Sequence, residues 1–175
     1  MSRLLELNDR VANVVGVISA LFLAGIAVLV LSEIGARAVF NYSLSFSWEY
    51  SAFFMAIAFF CGASFTLRSG GHVRVSLLSS SVPPRVAWMI DVFATVCGVV
   101  ITVYMTYAFI QFTAASFASG SVSATTSRTP LVIPQAAISF GLVLFTIQMI
   151  ARLIRLLTGR PTESAMEGSL SVTDS

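Results

Sequence analysis

The sequence predicts an all-α membrane protein built from four transmembrane helices, and three observations carry that prediction. Four separate apolar stretches are each long enough to cross a bilayer. The chain is 57% hydrophobic and only 10% charged, with a mean hydropathy of +0.89. A soluble domain carries charge on about a quarter of its residues. The arginines, finally, gather on alternate connections between the apolar stretches, as the positive-inside rule requires.

About 20 apolar residues rising 1.5 Å each cover a hydrocarbon layer of about 30 Å. The first stretch that passes runs from Val11 to Ala36. It is too long for a secretory leader and lacks a small-residue cleavage site, so it reads as a retained span. The second runs from Phe46 to Leu67, the third from Val86 to Phe112 and the fourth from Ile133 to Leu157. Residues 1–157 thus form one four-helix transmembrane domain. Residues 158–175 are polar, contain Gly159 and Pro161, and read as a disordered cytoplasmic tail.

The connections differ in kind. Asn41 to Ser47 is short enough for a tight hairpin. Arg68 to Arg85 holds Gly70, Gly71, the run Ser79-Ser80-Ser81 and Pro83-Pro84, the last suited to the first turn of the third helix. Within it Val75, Leu78 and Val82 have the spacing of a short interfacial helix, although Val73, Val75 and Leu77 also alternate. Ala114 to Val132 is an outer loop rich in Ser and Thr.

Arginine placement sets the orientation. Arg3, Arg10, Arg68, Arg74, Arg85, Arg152, Arg155 and Arg160 share one side of a four-span chain, against Arg37 and Arg128 on the other. Both termini are therefore expected in the cytoplasm. Tyr42, Trp48 and Tyr50 would anchor the outer interface and Trp88 the inner one.

Small residues mark where helices meet in lipid. Thr95, Gly98, Thr102, Thr106 and Thr113 fall on one stripe of the third span. Gly16, Ala20 and Ala24 repeat the device on the first, Ala52, Ala56 and Ala63 on the second, and Ala137 and Gly141 on the fourth. These stripes suit either packing inside a four-helix bundle or the docking of a partner subunit. The second span also carries Phe53, Phe54, Phe59, Phe60 and Phe65 around its circumference.

Charges within a span are costly, so each needs an account. Glu33 precedes Arg37 by four residues, the favourable order for an ion pair on one helix. Glu49 opens the second span, where a helix N-terminus favours an anion. Asp91 lies about two turns into the third span, with Arg68, Arg74, Arg85 and His72 as partners on its side. None of the three acids is at mid-depth, no span is broken by proline there, and no inverted repeat is evident, which weakens the case for a carrier acting alone. Such a carrier would depend on Glu33 or Asp91.

Enzyme readings find less support. There is no Gly-x-Ser-x-Gly, no His-Glu-x-x-His and no phosphate-cradling glycine loop. The ten basic residues are all arginine, which removes lysine chemistry, and with one histidine there is no His-rich metal site. Cys61 and Cys97 sit in apolar stretches and read as small hydrophobes. A net charge of +2 without a basic stripe argues against nucleic acid. No cofactor, metal or catalytic residue is expected.

The segment from Glu33 to Glu49, with Arg37, Phe40, Asn41 and Trp48-Glu49, resembles the first hairpin of the small four-span membrane subunit of TRAP (tripartite ATP-independent periplasmic) transporters. The likeness continues through Gly62-Ala63, Leu67-Arg68 and Gly71-His72-Val73-Arg74-Val75, and resumes at Pro134 and Gly141. It departs at Tyr50, where a second acid commonly follows the first. The resemblance implies a non-catalytic subunit in the bacterial inner membrane. Its partners would be membrane lipid, a large transmembrane subunit that moves substrate and sodium, and a periplasmic protein that delivers an organic acid. The small subunit would scaffold the first and help dock the second. Candidate interface or structural residues are Arg37, Asn41, Trp48, Glu49, Gly62, Arg68, His72, Arg74, Thr95, Gly98, Thr102, Pro134 and Gly141.

Overall fold

A computed structural model describes residues 2–69 and 83–159. Within them are four α-helices: α1 (Ser2–Phe40), α2 (Ser45–Arg68), α3 (Pro84–Ser119) and α4 (Val132–Leu157). All four are long and apolar enough to cross a membrane. The proposed interfacial helix at Val75–Val82, His72, Arg74 and the tail beyond Gly159 lie outside the described residues. The end carrying residues 41–44 and 120–131 is called here the hairpin end, and the opposite one the terminus end.

Two helices outrun the spans expected of them. At 1.5 Å per residue the 39 residues of α1 reach about 58 Å and the 36 of α3 about 54 Å. The extension of α3 takes in Ala114–Ser119, which the density of Ser and Thr had assigned to a loop. Ala114, Ala115 and Ala118 are strong helix formers, and the Ser119 hydroxyl bonds back to the Ala115 carbonyl at 2.8 Å. Gly120 then stops the helix. With φ at 61° its N–H turns to Phe117 O and that of Ser121 to Ser116 O, a Schellman closure that glycine adopts without strain.

The helices form an open row rather than a closed bundle. α2 packs against α1 on one side and α4 on the other, and α4 packs against α3. Among the described helices the α3 backbone approaches α4 alone; toward α2 it offers the Phe109 ring, 6.3 Å from that of Phe60. The core where α1, α2 and α4 meet is Val15, Ile57, Cys61, Ile138 and Leu142.

Each seam has its own chemistry. On α1 the face toward α2 is Ala12, Val15, Ser19, Phe22, Ile26, Leu29 and Glu33, alternating three- and four-residue steps. That 3.5-residue average holds one seam along a long helix. The anticipated stripe of Gly16, Ala20 and Ala24 does not: every four-residue step overshoots a turn by about 40°. Gly16 lies under the Phe65 ring, while Ala20 and Ala24 have rotated to the exposed side. Ser19 donates to the Ala58 carbonyl at 2.7 Å, against the bare face of Gly62.

Three of the six phenylalanines of α2 serve these seams. Phe54 meets Phe22 edge-on at 5.1 Å, Phe65 covers Gly16 and Phe60 reaches Phe109, whereas Phe59 is exposed. Phe53 is half-buried beside Tyr50.

The threonine stripe of α3 faces α4. Thr95 and Thr102 are buried, and Gly98 receives the Met149 side chain. Thr106 bonds the Thr146 hydroxyl at 2.9 Å and donates to the Leu142 carbonyl at 3.3 Å; Thr113 meets the Ser139 hydroxyl at 2.9 Å. Interhelical hydrogen bonds in bilayers contribute about 0.6 kcal/mol each. Replacing Thr106 and Thr113 together by Val is thus expected to weaken the α3–α4 seam by about 1 kcal/mol, read as a lower denaturation midpoint of the purified chain in SDS.

Candidate functional site

The polar chemistry concentrates at the hairpin end, in two clasps on neighbouring helix ends. The first closes α1 onto α2. Arg37 donates to Glu33 Oε1 at 2.6 Å, the i,i+4 pair expected from the sequence. Glu33 then does more than pair: Oε1 accepts the Ser43 hydroxyl at 2.8 Å and Oε2 accepts the Leu44 N–H at 2.6 Å. Leu44 is the residue before α2 and has no capping side chain of its own, so a carboxylate eleven residues earlier satisfies that donor. Asn41 supplies the turn, with φ at 55°, a left-handed conformation that Asn tolerates better than most residues. Ser47 adds a bond to the Leu29 carbonyl at 3.2 Å.

The second clasp ties the 120–131 connection to α2. That connection doubles back on itself, with Val122 bridging Pro130 and Ser123 N–H donating to Thr129 O at 2.9 Å. Ser123, Thr125, Ser127 and Thr129 recur at every second residue, and their hydroxyls stand in a row: Ser123 is 3.0 Å from Thr125, Thr125 2.8 Å from Ser127, and Thr129 3.2 Å from Ser127. The row lies over Glu49. Thr125 and Ser127 both donate to Glu49 Oε2, and Thr129 reaches the Tyr50 hydroxyl at 3.4 Å. Glu49 is 6% exposed. A loop that lies more than seventy residues away thus holds this acid, beyond any effect of its place near a helix start. The hydroxyls themselves were not singled out in the sequence; their two-residue period was the available signal.

Beside the first clasp a cleft of about 700 Å³ opens between α1 and the start of α2, lined by Val30, Ile34, Ala38, Trp48, Ser51 and the Glu33–Arg37 pair. Trp48 is 87% exposed and borders it.

The remaining candidates are placed elsewhere. Arg68 closes α2 at the terminus end. There Asp91, Thr95 and Arg152 line a smaller cleft of about 220 Å³ with Leu67, and Trp88 donates to the Leu156 carbonyl at 3.3 Å. Gly62, Thr95, Gly98, Thr102 and Gly141 lie in seams between helices, and Pro134 is buried in the first turn of α4, where no intrahelical N–H bond is lost. The structure therefore brings Arg37, Asn41, Trp48 and Glu49 to one end and leaves Gly62, Thr95, Gly98, Thr102 and Gly141 along the seams, while Ala20, Ala24 and Ala52 are exposed.

Residues 26–159 match the family model described as the DctQ component of tripartite ATP-independent periplasmic transporters. No curated protein matches the chain. The matched region contains both clasps, the large cleft and every helix seam from Ile26 onward.

Proposed function

Since the chain belongs to the DctQ component family of tripartite ATP-independent periplasmic transporters, we propose that it is the non-catalytic scaffold of a sodium-coupled organic-acid importer. The observation that carries this reading is the family match over 26–159, which spans most of the membrane domain. A large membrane subunit would move substrate and sodium, and a periplasmic binding protein would deliver the acid. In the bacterial inner membrane both termini would face the cytoplasm, following the arginines, and the hairpin end the periplasm. Exposed Trp48 and Tyr42 and the 120–131 connection would then stand where a binding protein docks.

The state of the acids supports a scaffold over a carrier acting alone. A carrier carboxylate must release and rebind its cation, whereas Glu33 is engaged by Arg37, Ser43 and the Leu44 N–H. Asp91 sits toward the terminus end of α3, two turns from its start.

The test is reconstitution. Liposomes holding this chain together with its large subunit, supplied with binding protein and sodium, are expected to take up organic acid; liposomes holding this chain alone are not. Uptake by the chain alone would overturn the proposal. In the full complex, Glu33→Gln combined with Asp91→Asn is expected to leave at least about half of the uptake rate, the small change that follows when neither group touches substrate. Abolished uptake in an intact complex would return the chemistry to this chain.

A further inference from the structure

We propose that Glu49, with the Thr125 and Ser127 hydroxyls, binds one small monovalent cation of about the size of sodium. The starting point is an imbalance in the second clasp. Glu49 Oε2 accepts two hydroxyl protons, but Oε1 is buried and accepts a hydrogen bond from no donor among the described residues. A buried carboxylate is stable when its charge is paired and its oxygens are satisfied, or when it ligates a metal. Neither arginine at this end supplies the charge: Arg37 is bonded to Glu33 and Ser43, and Arg128, exposed on the loop, makes no ion pair with Glu49.

A proton does not resolve the imbalance. Placed on Oε1 it would be a buried O–H with no acceptor, and placed on Oε2 it would leave Oε1 a buried acceptor still without a donor. A cation does. Each hydroxyl donates its proton to Oε2 and accepts one bond from its loop neighbour, which leaves one lone pair on Thr125 and one on Ser127 to face an ion. The donor set is carboxylate and hydroxyl oxygen without nitrogen or sulfur, which selects a hard cation. One carboxylate balances one positive charge; a divalent ion would leave a buried excess. Ser123 and Thr129, bonded to the two ligating hydroxyls, fix their orientation. Thr125 and Ser127 are exposed residues, so the ion has a path from the aqueous side of the hairpin end.

This inference concerns the chain itself and is tested on it, independently of any transport by a complex. The full chain is placed in lipid nanodiscs and melted in NaCl, KCl or choline chloride at equal ionic strength. In parallel, Trp48 emission, isolated by Trp88→Phe, is titrated with NaCl. The expected result is a saturable change in Trp48 emission and a melting midpoint raised by sodium over choline. At ten times the dissociation constant the folded state gains about elevenfold. Glu49→Gln keeps the shape, removes the charge and is expected to abolish both responses. Thr125→Val with Ser127→Ala keeps the charge and is expected to weaken binding by at least about tenfold. Identical melting of the unmodified chain in sodium and choline would overturn the proposal. So would a full sodium response in Glu49→Gln or, should that variant not fold, in the hydroxyl variant.

Discussion

Replacing Gly141 by Leu is expected to force α2 and α4 apart and to cost about 3 kcal/mol, the upper part of the range for overpacked cores. A Cβ at this position would lie 3.0 Å from the Cys61 nitrogen and 3.1 Å from the Phe60 carbonyl carbon. Both are backbone atoms, which no side-chain rotation can move aside. The variant must therefore shift one whole helix, and α2 and α4 are the two that hold the row together. Gly141→Ala, which needs a displacement of only a few tenths of an ångström, is expected to cost about 1 kcal/mol, at the lower limit of overpacking. Cys61 provides the readout. It is buried in this seam, so on a Cys97→Ser background a thiol-reactive fluorophore reports its release as temperature rises. An unchanged release temperature for Gly141→Leu would show that the two helices do not approach here.

The second large effect is expected from Leu142→Ala. Leu142 is 1% exposed, the most enclosed large side chain of the core. In a soluble protein such a truncation costs 2.7 to 5.0 kcal/mol, part of it the lost transfer from water. Separated helices in a bilayer leave a leucine among lipid tails as apolar as itself, so that part largely disappears. What remains is the lost dispersion contact around the void, about 1–2 kcal/mol. The same thiol-release measurement checks it. A loss as large as in water would mean that the core is reached by solvent when it opens. Leu142→Met, which keeps the volume, is expected to change the midpoint little.

Much of this fold was legible in the sequence because membranes impose strong periodicities. Four apolar lengths gave four helices, the four-residue spacing of Glu33 and Arg37 gave their pair, and the threonine period on α3 gave its face. What depended on more than one helix was harder to read. Gly16, Ala20 and Ala24 look like a stripe when counted by fours, but the seam follows a 3.5-residue average. The order of the row also had no local signal, because short connections do not state which faces later meet. Glu49 illustrates the same limit at the site. Its position on α2 suggested a helix-start effect, whereas the groups that hold it stand 76 and 78 residues away. The spacing of the loop hydroxyls was visible; the acid beneath them was not. The extra turns of α3 were concealed for another reason, since serine-rich composition suggested a loop where alanines sustained the helix.

The order of helices in the row constrains how the protein is made. Synthesis delivers them as α1, α2, α3, α4, but in space α4 lies between α2 and α3. The α1–α2 hairpin can zip as soon as α2 enters the bilayer, since both of its clasping groups, Glu33 and Leu44, are then present. α3 enters with no backbone to lean on and must wait beside the hairpin. The last helix to leave the ribosome then slides in between and closes two seams in one event: Gly141 against Cys61 on one flank, Ser139 and Thr146 against the waiting threonines on the other. A nascent product halted before α4 therefore lacks both the α2–α4 and the α3–α4 seam.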